Sequence, residues 1–206
     1  MQFCIFDDMT QCTEQEVARL LPLVSNQRRQ QALGYKHLFG QFCCLKSYEL
    51  LIPLLASTPH TFYRGEAASN LPIFLYNEHG APRLEHGPCF SISHCKHAIA
   101  VAISEKPIGI DIEHIRTAKP ELVERTMNET EQAEIWAAAS PDVAFTRLWT
   151  QKEAVLKMQG TGILSIDGMK NTLVALEHVD LQTKVHIDKQ YAYTLASRLQ
   201  PLAFSL

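Results

Sequence analysis

Residues 98–104 read AIAVAIS, seven residues without a charge. A run this short, uncharged and β-rich predicts a strand buried on both faces. Two neighbours follow the same logic. FSIS at 90–93 and GIDIE within 107–113 alternate apolar and polar residues and predict strands before and after it. Helical signals surround this block. Thr13 with Glu16 three residues on is a capping-box pattern, predicting a helix that runs to about Leu21, ahead of Pro22. Ser25 caps a second helix that meets Gly34. Leu38, Phe42, Leu45 and Glu49 form one stripe, predicting a helix over 36–51 that stops before Pro53. Prolines and glycines crowd 59–88, which predicts loops with short strands such as 73–76. Asn128 or Thr130 starts a helix carrying Trp136. Ser140-Pro141 starts another that carries Phe145, Leu148, Trp149 and Leu156 and closes at Gly160. Alternation returns after Ile163, at 184–187 and 191–196. The fold class is α+β.

Composition narrows the function classes. The 206 residues make one large domain or two small ones, and 46% hydrophobic with 20% charged residues is globular usage. A net charge of −3 weighs against a nucleic-acid binder. No segment approaches the ~20 apolar residues of a membrane span; the most apolar stretch, 50–56, contains Pro53. The first residues lack a basic region followed by an apolar run, so no signal peptide is expected, and a cytoplasmic location is expected with it. Cys4, Cys12, Cys43, Cys44, Cys89 and Cys95 form no C-x-x-C pair and read as reduced, mostly buried thiols.

Four segments carry chemistry. In GIDIE, strand alternation sends Asp111 and Glu113 to one face and Ile110 and Ile112 to the other. Two carboxylates side by side either face bulk water or hold a cation, and oxygen-only ligands favour Mg²⁺, Mn²⁺ or Ca²⁺. In WTQKEAVLK, Trp149, Glu153 and Lys157 fall at i, i+4 and i+8, so a carboxylate and an ammonium share a helix face. They are a surface pair, or a third metal ligand with a phosphate-binding cation. Ser93 and His94 end a strand, where a hydroxyl and an imidazole can meet an anion or simply form a turn. Arg28-Arg29, with Lys36 and Lys46, offers cations for phosphate or for a solvated helix face. Glu131 sits three residues after Asn128, suited to capping or to catalysis.

Together these segments resemble the surfactin-type 4′-phosphopantetheinyl transferases. FSISH at 90–94, GIDIE at 109–113 and LWTQKEAVLKMQGTGI at 148–163 carry the resemblance, with a looser likeness over 25–46 and at 80–82. It implies two similar α/β halves, 1–105 and 106–206, related by a pseudo-two-fold axis, with coenzyme A bound between them in a monomer. It implies transfer of phosphopantetheine from coenzyme A to a serine of an apo acyl or peptidyl/polyketide carrier protein, with Mg²⁺, releasing adenosine 3′,5′-bisphosphate. By resemblance, Asp111, Glu113 and Glu153 are the magnesium carboxylates, and Lys157 reaches the phosphates. Ser93 and His94 hold coenzyme A phosphates, Arg28 meets the 3′-phosphate, and Glu131 or Glu153 helps deprotonate the serine. Two positions depart from the pattern: the usual Lys-Pro is Ala81-Pro82, and Gln31 stands where some members carry a second lysine. The alternatives are a metal-dependent phosphodiesterase or nuclease on the same carboxylates, or a non-catalytic coenzyme A or carrier-protein binding module.

Overall fold

The computed structural model describes residues 1–58, 71–162, 167–174 and 176–199. Two three-stranded antiparallel sheets form its centre. The first has the order β1 (Gln2–Phe6), β5 (Ala98–Ser104), β4 (Cys89–Cys95). The second has the order β6 (Ile108–His114), β8 (Tyr191–Arg198), β7 (Val179–His186). A two-stranded ribbon, β2 (Leu75–Tyr76) with β3 (Pro82–Arg83), forms a separate small sheet.

The AIAVAIS strand is buried on both faces because each face has its own partner. Ile99 and Ile103 join the core under α1 (Glu14–Leu20) and α3 (Leu38–Ala56), with Val17, Leu20, Phe42 and Leu45. Ala98, Ala100 and Ala102 join Ile108, Ile110 and Ile112 of the second sheet. Small residues on that face let the sheets approach. Two serines then tie them together. Ser91 Oγ accepts the Ile110 N–H at 3.0 Å, and Ser93 Oγ accepts the Ile112 N–H at 3.3 Å.

Most helix ends follow local chemistry. Thr13 accepts the Glu16 N–H at the start of α1, but the Glu16 carboxylate turns to Arg19, so only half of the capping box forms. Ser25 caps α2 (Asn26–Leu33). Asn128 and Glu131 form the full reciprocal box at the start of α5 (Glu129–Ala137). Gly160, at φ 72°, closes α6 (Pro141–Gln159) in the left-handed region. At the other end of α6 the Ser140 side chain makes no capping bond; Asp142 instead accepts the Ala118 N–H ahead of α4 (Pro120–Thr126).

Three expectations need correction. First, α3 does not stop before Pro53 but runs through it to Ala56. An internal proline costs about 3 kcal/mol, and burying Leu51 and Leu55 on either side returns about 1.5–3 kcal/mol each. Second, this makes α3 a 19-residue helix long and apolar enough to cross a membrane, although half of it is buried inside the fold. Third, all six cysteines are free, but Cys4 and Cys12 are half-buried and Cys89 is exposed; burial holds only for Cys43, Cys44 and Cys95. The loop expectation over 59–70 and the end of the 148–163 motif, at Ile163, lie outside the described residues.

Candidate active site

The packing of α6 on β6 builds the site. Gly109 makes it possible: a Cβ there would stand 1.9 Å from the Ala154 carbonyl oxygen and 2.6 Å from the Met158 nitrogen. With the backbones this close, Asp111 and Glu113 on β6 and Glu153 and Lys157 on α6 line one cavity of about 350 Å³. Ser93 and His94 of β4 line it too. Arg28, Gln31, Tyr35, Ser47, Phe74, Tyr76 and Pro82 also line it.

At the carboxylate end the balance of charge is incomplete. Lys157 Nζ donates to Asp111 Oδ1 at 2.6 Å and to Ser93 Oγ at 2.8 Å. Asp111 is 2% exposed, and its Oδ2 is a buried oxygen without a hydrogen-bond partner among the described residues. Burial, then the Asp111 carboxylate, pushes the Glu113 carboxyl up to about 7. The same two causes push Glu153 above its ordinary value. Of the two alternatives for the acidic strand face, bulk water is ruled out for Asp111, which is buried against α6. His94 reaches solvent at the rim, where Phe39 meets its ring edge-on at 6.0 Å. Desolvation, then the Lys157 ammonium, lowers its imidazole pKa.

Among the described residues no three His, Cys, Asp or Glu side chains already stand as a metal cluster. The donor set nonetheless fits a hard dication. One Asp111 oxygen is held by an ammonium and the other has no partner, while two further carboxyls resist ionisation beside it. A divalent cation with a preference for oxygen would relieve all three.

Another part of the lining holds a buried cation with three of its five N–H donors committed. Arg28 is 8% exposed; it donates to the Cys44 carbonyl at 2.9 Å, to Gln31 at 2.8 Å and to Ser47 at 2.8 Å. Its guanidinium lies 5.2 Å from the centre of the Phe74 ring. Gln31 also accepts from the Tyr76 hydroxyl. These walls escaped sequence reasoning, because Phe74 and Tyr76 read only as residues of a short strand.

Several other predicted residues lie elsewhere. Glu131 does not line the cavity. Its carboxylate accepts the Asn128 N–H and pairs with Lys152 Nζ at 2.8 Å. Lys46 pairs with Glu49 and Glu16 and sits over the Phe6 ring, and Arg29 bonds to the Leu21 carbonyl. Trp149 turns into the core under Arg116 rather than joining Glu153 and Lys157.

Comparison with known proteins bears on these residues. A family model described as the 4′-phosphopantetheinyl transferase superfamily matches residues 107–201, which include β6 and α6. The chain is similar to the 4′-phosphopantetheinyl transferase gsp of Aneurinibacillus migulanus, 37% identical over 95 residues, covering 44% of this chain and 39% of that protein. It is similar to the 4′-phosphopantetheinyl transferase AcpT of Salmonella typhi, 29% identical over 170 residues, 72% of this chain and 88% of the relative. The 4′-phosphopantetheinyl transferase Sfp of Bacillus subtilis strain 168 is 24% identical over 185 residues, 87% of this chain and 78% of the relative.

Proposed function

The chain belongs to the 4′-phosphopantetheinyl transferase superfamily, and from that premise we propose that it moves phosphopantetheine from coenzyme A to a serine hydroxyl of an apo carrier protein. One observation carries the reading: Asp111, Glu113, Glu153, Lys157 and His94 share one cavity with Arg28. The first three supply oxygen ligands, Lys157 and His94 supply donors for phosphate, and the cavity reaches to a buried guanidinium.

In this reading the serine oxygen attacks the coenzyme A phosphorus that carries pantetheine. A new P–O bond forms to serine. The bond from that phosphorus to the bridging oxygen breaks, and adenosine 3′,5′-bisphosphate leaves with the electron pair. The serine proton passes to a Glu153 carboxylate oxygen. Glu153 takes this role over Glu131, whose carboxylate is committed to Asn128 and Lys152. Lys157 meets the charge that grows on the leaving phosphate. His94 donates to the phosphates at the rim, and Arg28 faces the 3′-phosphate end. Asp111, Glu113 and Glu153 would hold Mg²⁺, which would supply positive charge to offset the pyrophosphate.

The finer parts of the reading are a surfactin-type enzyme, monomeric and cytoplasmic, with halves 1–105 and 106–206 repeating about a pseudo-two-fold axis. One three-stranded antiparallel sheet on each side of residue 105 supports that division. Intact-mass analysis tests the activity, with apo acyl carrier protein or a peptidyl or polyketide carrier domain, coenzyme A and Mg²⁺. A gain of one phosphopantetheinyl group supports transfer. Free phosphopantetheine with unmodified carrier makes the chain a phosphodiesterase, and coenzyme A binding without turnover makes it a binding module.

A further inference from the structure

We infer that Ser93 is a positioning residue for Asp111, and that its hydroxyl does not contact coenzyme A phosphate; the inference rests on the function proposed above. The argument is a count of hydrogen-bonding capacity. A serine hydroxyl has one proton to donate and two lone pairs to accept with. The Ser93 proton goes to Asp111 Oδ1 at 2.8 Å. Its lone pairs accept from Lys157 Nζ at 2.8 Å and from the Ile112 N–H at 3.3 Å. Ionised phosphate oxygens only accept. Ser93 could bind one only by releasing the buried carboxylate it now serves.

The geometry gives that proton a consequence. Ser93 and Lys157 both hold Oδ1, which fixes the Asp111 side chain and leaves Oδ2 without a partner. Ser93 itself cannot drift, because the Ile112 N–H anchors it one residue from the carboxylate it orients. Ser91 is a natural control. It accepts the same kind of bond, from the Ile110 N–H, but among the described residues its side chain is hydrogen-bonded to neither Asp111 nor Lys157.

The test measures two affinities separately on the full chain. Adenosine 3′,5′-bisphosphate binding is titrated without divalent cation. Mn²⁺ binding is titrated without nucleotide, by electron paramagnetic resonance. The variants are Ser93→Ala, Ser93→Thr, Ser91→Ala and His94→Ala, each with a thermal melt. Ser93→Ala should bind the nucleotide as wild type does while its Mn²⁺ affinity falls about 10–100-fold, the usual loss when a residue that orients a metal ligand is removed. Ser93→Thr keeps the hydroxyl and should restore Mn²⁺ binding. Ser91→Ala should lower the melting temperature without moving Mn²⁺ affinity. A loss of nucleotide affinity in Ser93→Ala matching that of His94→Ala overturns the inference. So does an unchanged Mn²⁺ affinity, or an equal loss in Ser91→Ala. Should wild type bind no nucleotide, the functional reading fails, and the Mn²⁺ series alone still decides whether Ser93 positions Asp111.

Discussion

Helix α6 carries two lysines five residues apart, each paired with an acid, and the two pairs could hardly differ more. Lys152 has no exposed side-chain surface, and its ammonium is met by Glu131 and by the Met169 and Lys170 carbonyls. The pair pins α5 and the Asp167–Asn171 turn to α6. Lys157 keeps 27% of its side-chain surface, and the acid it holds retains a buried oxygen with no partner among the described residues. The first site is closed and neutral, with donors and acceptors matched. The second is open and short of positive charge. A buried pair whose groups are all satisfied reads as architecture, whereas one left unbalanced beside a cavity reads as chemistry.

The sharpest way to break this contrast is to remove each lysine in turn. Lys152→Ala leaves Glu131 buried without its cation and should cost about 3–5 kcal/mol of stability, read from urea denaturation. Transfer should fall only in proportion to the unfolded fraction. Loss of kcat at unchanged stability would make Lys152 part of the chemistry. Lys157→Ala should do the reverse. Transfer should drop about a hundredfold or more, as for loss of one electrostatic donor, or about 2.7 kcal/mol in the barrier. Its melting temperature should move little. Lys157→Arg should recover only part, since a planar fork does not replace a compact ammonium. Near-normal turnover in Lys157→Ala would remove the site from α6.

Acidity sharpens the contrast further. Glu113 keeps its proton up to about 7 in the fold, against an ordinary value of 4.5. The native state therefore holds more protons between those values, and stability of the metal-free protein should fall as pH rises from about 4.5 to about 7. Mg²⁺ should offset this cost, so its thermal shift should grow between pH 5 and pH 8; a shift equal at both would detach Glu113 from metal. Glu16 runs the other way. Arg19, then Lys46, holds its carboxyl down to about 2, so its contribution is complete above 4.5 and fades as pH falls toward 2. The smallest effect belongs to a third cation on the same helix. Arg147 pairs with Glu134 at the surface. Arg147→Ala should change stability by less than about 1 kcal/mol, and transfer should be unaffected.

What sequence reasoning reached, and what it missed, divides along these lines. The caps at Ser25, Asn128 and Gly160 were legible because a helix end depends on residues within a few positions of it. The β5 strand was legible because burial on both faces leaves no charge in the chain. Pro53 was misread because a local penalty met tertiary burial of Leu51 and Leu55 that local reasoning does not see. The convergence of Ser93, Asp111 and Lys157 was legible only as a family resemblance, since 18 and 46 residues separate Asp111 from its two partners. The Glu131–Lys152 pair was hidden for the same reason. Nothing in the neighbourhood of either residue announces a partner far along the chain. Gln31 was legible only through the resemblance, and Phe74 and Tyr76 were unreadable as cavity walls, because their roles depend on where Arg28 ends up.

Gly109 touches none of the cavity's reacting groups, yet it governs what a mutational survey of this protein would see. Any side chain there meets the main chain of α6, not a flexible group that can move aside. Relief means displacing the helix that carries both Glu153 and Lys157. A survey scored on activity alone would rank position 109 beside Asp111 and Lys157 and tempt a reader to add it to the catalytic set. Scored on abundance as well, it should separate from them, as a site where tolerance is limited by the thickness of a joint.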